Sequence, residues 1–455
     1  MLKNALPKIV TELPGPKSKE VIEKRKQAIP TSIACGSPYA IDKGEGCMVQ
    51  DLDGNIIMDW VGGIGVLNLG HSNPEVIEAI QKQVTRYCHP QINTFHYSEY
   101  IDLADKLNTI MPGDFKKRTA FFNSGSEAVD NSIKIARKYT GKTDVIAFSG
   151  AFHGRTYMSM TLTSGQIFKA AFAPLAAGVH RVEFPNEYRT DSSIAPEDIA
   201  KFYIEKLKYM FVDYISPKNV AAIIMEPIQG ECGFIVPPAE YVTELRKICD
   251  EHNILLIADE IQTGYCRTGK MFATDYWAEL GVYPDITLTA KSLAAGLPLS
   301  AITAREEIME SLAIGEIGGT YGGNPVAIAA ALKAVEIMER DNYAQKALDI
   351  GEKCREAFSQ WMEKYEIIGT FRVTGGMTSI EFVKDRETKE PYPEVVNAVI
   401  KECMDNGLIV KNAGSYNQIM RMLMPLVTNK EQLAVGLTII EKAIANAEAH
   451  LNSLV

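Results

Sequence analysis

Short apolar runs recur through the middle of the chain, separated by stretches whose apolar residues repeat at helical spacing. "TAFF" (119–122), "VIAF" (145–148), "AAIIM" (221–225), "ILLIA" (254–258), "ITLT" (286–289) and "SAIT" (300–303) read as buried strands, because they are apolar or β-branched almost throughout rather than alternating. Between them, "SEAVDNSIKIARKY" and "AEYVTELRKICDEH" carry the helical pattern. Continuous strands alternating with helices predict an α/β fold built on a largely parallel sheet covered on both faces. The first 50 residues read as an irregular or helical lead-in, followed by "DLDGN", a hairpin turn between two short strands. Beyond the helix at "NPVAIAAALKAVEIMERD" the texture changes. "MTSIEFV", "EVVNAVIKECMDNGLIV" and the closing helix "KEQLAVGLTIIEKAIANAEAHL" predict a smaller α+β domain. The expected boundaries are an N-terminal segment over 1–66 that contributes to the small domain, a large domain over 67–330 and a C-terminal small domain over 331–455.

Composition narrows the function more than the fold. A chain of 455 residues is too long for one ordinary core. The 47 basic residues face 57 acidic ones, a net charge of −10, which speaks against nucleic acid and anionic membranes as partners. No apolar segment reaches the roughly 20 residues of a spanning helix. The start, "MLKNALPKIVTELPGPKSKE", meets lysines and prolines too early for a signal peptide. Eight scattered cysteines without a CxxC pair fit reduced thiols and give no metal site. A cytoplasmic protein is the expectation.

In open α/β sheets ligands bind beyond the carboxyl ends of the strands, so those ends carry the candidate chemistry. "TAFF" leads into Asn123-Ser124-Gly125-Ser126, a donor-rich turn opening a helix. "VIAF" leads into "SGAFHGR", with Phe152, His153 and Arg155. "AAIIM" ends at Glu226, "ILLIA" at Asp259-Glu260, and "ITLTA" at Lys291. Each has an ordinary explanation: Ser124 as a helix cap, Asp259 as a turn residue, Lys291 reaching water. Together they supply what pyridoxal phosphate chemistry requires. A desolvated lysine is a ready Schiff-base nucleophile, and a carboxylate can keep a pyridine nitrogen protonated. Donors at a helix start bind phosphate, and an aromatic ring stacks on the cofactor. Two other phosphate motifs fail on spacing. "GGIGVLNLG" places Asn68 where a dinucleotide fingerprint needs glycine, and "TGKT" follows Ala136 where a phosphate loop needs its first glycine.

Taken in order, "NSGSEAVDNSIKIAR", "SGAFHGRT", "EPIQGECGF", "LIADEIQTGYCRTGKMFA", "LTAKSLAAGLPLS" and "GGTYGGNPVA" resemble the motif set of class III pyridoxal-phosphate aminotransferases. Within that family the chain is most similar to 4-aminobutyrate aminotransferases, notably in "FSGAFHGRT", "GGTYGGNP" and "QIMRMLMPL". The resemblance implies the fold type I of pyridoxal-phosphate-dependent transferases, with a mostly parallel seven-stranded sheet in the large domain. It also implies pyridoxal 5′-phosphate as cofactor and ping-pong transfer from an ω-amino acid to a 2-oxo acid, 2-oxoglutarate. Lys291 would bond to the cofactor and later shuttle the substrate proton. Asp259 would pair with the ring nitrogen and Gln262 would contact the ring hydroxyl. Gly125 and Ser126 would bind the phosphate and Phe152 would stack on the ring, with His153 and Glu226 beside it. Thr320 would reach the phosphate of a neighbouring subunit, so the active sites would lie at the interface of a homodimer or of a tetramer built from it.

On the substrate side, the resemblance implies that Ile64 lines the pocket and Arg155 holds the distal carboxylate. Arg421 would hold the α-carboxylate of glutamate or 2-oxoglutarate, with Glu231 pairing with it otherwise. A movable glutamate over an arginine lets one pocket serve substrates with one or two carboxylates without leaving a buried charge bare. Cys232 and Asn93 depart from the family pattern, which usually has glycine and, in 4-aminobutyrate enzymes, glutamine there. "LPGPKSKEVIEK" and "EFPNEYRTD" are similar to a related branch with amino-acid racemases and ornithine-type aminotransferases. A racemase or epimerase on the same fold, or an ornithine-type aminotransferase, is therefore the alternative, and a racemase would have little use for Arg155, Glu231 and Arg421 together.

Overall fold

The computed structural model describes residues 2–452. The chain divides into two compact units: residues 75–345, and a second unit made from the residues up to Pro74 together with those from Lys346 on.

The first unit is built on seven strands: β1 Lys117–Phe122, β2 Asp144–Phe148, β3 Val179–Val182, β4 Val220–Met225, β5 Leu255–Asp259, β6 Ile286–Thr289 and β7 Ser300–Arg305. They lie in the order β1-β7-β6-β5-β4-β2-β3, parallel except for β7, which runs antiparallel to both neighbours. The apolar runs are continuous because both faces are covered. Ile146, Phe148, Ile223, Met225, Leu256 and Ala258 enter one core. Val145, Ala147, Ala222, Ile224 and Ile257, the alternate positions, enter the other. On one face the helix Ala239–His252 buries Tyr241, Val242, Leu245, Ile248 and Cys249, a stripe at helical spacing. On the other, Gly125–Thr140 buries Ala128, Val129, Ser132, Ile133 and Ala136. Each helix stops at a left-handed residue, Asn253 and Gly141 respectively.

The seven-stranded, mostly parallel sheet agrees with the expected fold class. Six strands lie where the apolar runs predict, with β5 shifted one residue to end on Asp259 itself. The seventh, β3, gives no apolar signal: "VHRV" is an edge strand half open to solvent, with His180 and Arg181 in its middle. Edge strands tolerate charge, and the pattern disappears with it.

The second unit contains two four-stranded sheets. One combines Ile41–Glu45, Met48–Asp51 and Ile56–Asp59 with Leu408–Ile409, and "DLDGN" forms the turn between its second and third strands. The other is antiparallel, from Ile368–Thr374, Met377–Phe382, Ile419–Met422 and Lys411–Ala413. The helices Pro393–Asp405 and Lys430–Asn452 pack on each other. The lead-in is more regular than its sequence suggests, containing the helix Pro16–Ala28 and the strand Ile41–Glu45, whose "IDKGE" is too polar to stand out. No helix among the described residues is long and apolar enough to cross a membrane.

Candidate active site

Three strand ends of the large sheet converge on buried polar groups. Asp259 is the last residue of β5 and is 4% exposed. Its Oδ2 lies 2.8 Å from His153 Nδ1, and its Oδ1 accepts the Ile261 amide at 3.1 Å. His153, in the turn after β2, is fully buried and held from behind, its amide donating to Thr163 Oγ1 at 3.0 Å. Glu226, directly after β4, accepts the Phe152 amide on Oε1 and the Gly230 amide on Oε2, both at 2.9 Å. Burial pushes its carboxyl up to about 7, and the nearby Asp259 charge adds to this, while His153 and the two amides oppose it. Glu226 thus anchors the loops that carry Phe152 and Glu231.

Sequence chemistry also shapes the helix start. Ser124 caps Gly125–Thr140, its Oγ accepting the Glu127 amide, while Glu127 reaches back to the amides of Asn123 and Ser124 at 2.8 and 3.1 Å. That box leaves the Gly125 and Ser126 amides pointing out of the positive end of a 16-residue helix. Two glycines permit the close fit. A Cβ on Gly125 would sit 2.7 Å from Ile261 Cδ1, and one on Gly154, whose φ is +130°, would collide with Ser126 Oγ. Ser126 Oγ in turn accepts the Arg155 amide at 3.2 Å. The capping reading and the anion-binding reading of this turn are therefore compatible: Ser124 caps, and Gly125 and Ser126 stay open.

Lys291 leaves the sheet on the same rim. Asp259 is opposite Leu288 in the β5–β6 register, and Lys291 follows β6 by two residues. It is half-buried, with φ of +47°, a left-handed conformation that a lysine seldom adopts without local constraint. Gln262 is buried against Gly230, and its Oε1 has no protein partner among the described residues. Phe152 and Glu231 are half-buried, Arg155 exposed, and Thr320 lies exposed in the loop before the helix Pro325–Arg340. Cys232 packs its sulfur against Gly150, in the turn that precedes Phe152. Ile64 and Arg421 belong to the other unit. Ile64 is 39% exposed with φ of +65°, whereas Arg421 is buried on Ile419–Met422 opposite Ser379.

Glu260, named beside Asp259 at the end of its strand, has no role assigned from the sequence. It is fully buried, with its carboxyl pushed up by burial, and accepts the Thr263 hydroxyl and the amides of Ala273 and Thr274 at 3.1 and 2.5 Å. It clamps the loop that carries Gln262. The only signal in the sequence was its place beside Asp259.

The aminotransferase class-III family model matches residues 33–444. The chain belongs to the class-III aminotransferases. A probable 4-aminobutyrate aminotransferase of Bacillus subtilis is 40% identical over 93% of this chain and 96% of its own length. The 4-aminobutyrate aminotransferase of Escherichia coli is 38% identical over 95% and 99%, and a 5-aminovalerate aminotransferase of Pseudomonas putida is 38% identical over 94% and 98%. Among solved structures, an amine transaminase from an uncultivated Pseudomonas species, in its PLP-bound form, superposes with a TM-score of 0.84 at 29% identity, covering 93% of this chain and 97% of that one. This class-III aminotransferase is an enzyme of small-molecule substrates, and its family implies pyridoxal 5′-phosphate. Its residues fit that group. The open amides of Gly125 and Ser126 suit a phosphate dianion. The buried Asp259 suits a protonated ring nitrogen, and the unpartnered Gln262 Oε1 suits a donor on the ring.

Proposed function

We propose that this aminotransferase takes the amino group of an ω-amino acid, 4-aminobutyrate or a close homologue, and passes it to 2-oxoglutarate in two half-reactions at one site. When bound, pyridoxal 5′-phosphate supplies the electron sink that makes the proton on the amine-bearing carbon removable. In this reading Lys291 Nζ takes that proton and returns it to a different atom. Asp259, oriented by His153, keeps a proton on the ring nitrogen, Phe152 packs on the ring face, and Gln262 engages its hydroxyl. The Gly125 and Ser126 amides carry the phosphate, joined by Thr320 reaching over from the second subunit of a homodimer. Arg155 binds the distal carboxylate. Arg421 binds an α-carboxylate, with Glu231 covering it in the other half-reaction, and Ile64 lines the pocket.

The observation that carries the choice of donor is Arg155. It is exposed on the rim, its amide is bonded to Ser126 at the helix start, and it makes no ion pair with any carboxylate among the described residues. Two kinds of relative, named for 4-aminobutyrate and for 5-aminovalerate, support the same class of donor. Arg155→Met should lower kcat/KM for 4-aminobutyrate by about tens- to thousands-fold, the cost of a desolvated, charge-assisted pair, while neutral α-amino acids lose little. Rapid-mixing measurement of single half-reactions with each donor reads this directly. A wild-type enzyme that converts no ω-amino acid would sink the reading.

A further inference from the structure

Phe168 sits in the short turn Gln166–Phe168, after the helix Tyr157–Leu162, outside the strand ends that hold the chemistry described above. Its ring touches two functional residues at once. It meets the Phe152 ring edge-on, with centroids 5.4 Å apart and planes at 78°. The Arg155 guanidinium lies over it, 4.9 Å from the centroid. The turn is tied down on either side. Lys169, 3% exposed, donates Nζ to the Thr163 carbonyl at 2.6 Å. Arg181 donates to the carbonyls of Thr161, Leu162 and Thr163 at 3.0, 2.6 and 3.1 Å. Two cations, the buried Lys169 and the half-buried Arg181, thus close off the end of the helix Tyr157–Leu162 and fix the path of the segment that presents Phe168.

An exposed arginine on a flexible stem samples many rotamers, and ordering it on substrate binding costs entropy. A guanidinium is planar and weakly hydrated, so an aromatic face attracts it, while the N–H donors around its rim remain available to a carboxylate. We infer that Phe168 is a positioning residue for substrate selection: its ring holds Arg155 ready for the distal carboxylate and braces Phe152 in the same contact. This rests on the assignment of Arg155 under Proposed function.

The holoenzyme tests it with Phe168→Leu, Phe168→Tyr, Arg155→Met and the double variant Phe168→Leu/Arg155→Met. Two readings are taken: kcat and KM for 4-aminobutyrate, and competitive inhibition by butyrate, which has the carboxylate without the amine. Phe168→Leu should raise KM for 4-aminobutyrate and weaken butyrate inhibition by a common factor of about three- to tenfold, with kcat within about twofold. Phe168→Tyr keeps a ring face and should restore both values. In the Arg155→Met background, Phe168→Leu should change neither value further, because the guanidinium is already gone. If Arg155→Met weakens butyrate but Phe168→Leu does not, or if Phe168→Leu acts equally with and without Arg155, the positioning role is wrong and the Arg155 assignment stands. If Arg155→Met leaves butyrate unchanged, the assignment and this inference fall together.

Discussion

Along the amino edge of the seven-stranded sheet, Asp285 is held by Arg246 at 2.8 Å, Arg305 at 3.0 Å and the Leu256 amide at 2.8 Å. Along the carboxyl edge, Asp259 has one histidine, and the groups near it are left with open valences. His153 Nε2 and Gln262 Oε1 are buried without a hydrogen-bond partner among the described residues, and the Glu226 carboxyl is shifted towards its neutral form by burial. Both edges bury carboxylates at strand ends of the same sheet. One satisfies its acid with two cations and so contributes to cohesion. The other keeps buried polar groups at a cost of about 1–3 kcal/mol each until something binds. The two edges differ in what faces the acid: two guanidiniums hold Asp285, and a single histidine stands beside Asp259.

Exchanging carboxylate for amide at each edge is the sharpest way to break this contrast. Asp259→Asn should leave the melting temperature nearly unchanged while slowing proton transfer by two or more orders of magnitude, roughly 3 kcal/mol or more of barrier. Asp285→Asn should do the reverse. Removing one member of a largely buried charge cluster should cost about 3–5 kcal/mol of stability, with turnover of the folded enzyme little altered. Urea unfolding and single-turnover rates on both variants decide it, and similar profiles for the two would erase the distinction.

Glu226 gives a pH test of the open edge. Its folded value of about 7 lies above the ordinary 4.5, so the folded apoprotein binds this proton more tightly than the unfolded chain. The resulting stability is fully present below about pH 4.5 and is lost as pH rises towards 7, by up to about 3 kcal/mol. Glu226→Gln cannot titrate and should flatten that part of the pH–stability curve. It also removes one acceptor, so Phe152 or Gly230 loses its bond and the overall level should fall. An unchanged slope between pH 4.5 and 7 would contradict the assignment. The smallest expected effect is at the helix start. Ser124→Ala removes the cap and should cost about 1 kcal/mol, seen as a drop in melting temperature, with turnover preserved because Gly125 and Ser126 supply the open amides.

Much of the carboxyl edge was legible because a parallel sheet writes its buried strands as unbroken apolar runs. The residues that end those runs are then conspicuous, as Asp259 and Lys291 are. What stayed hidden depends on where loops travel. Glu260 meets Ala273 and Thr274 only because the chain turns back on itself, and Phe168 meets Phe152 and Arg155 across a helix and a turn. Neither contact has a period or a motif. The strand Val179–Val182 was hidden for a different reason: an edge strand has no need of an apolar pattern.

The unit built from both ends of the chain has a consequence for biosynthesis. Its first sheet pairs Met58 with Leu408, and Gln432 donates to the carbonyls of Lys3 and Ala5. Every strand of the seven-stranded sheet, by contrast, lies within residues 117–305. On a ribosome the larger unit can therefore close while the N-terminal segment still waits for partners not yet made. The last loop to close is among the longest in the molecule, which favours slow, late docking of the first 74 residues. Until then the strand Ile56–Asp59 presents an edge that Leu408–Ile409 has yet to cover, and an open edge is a template for aggregation.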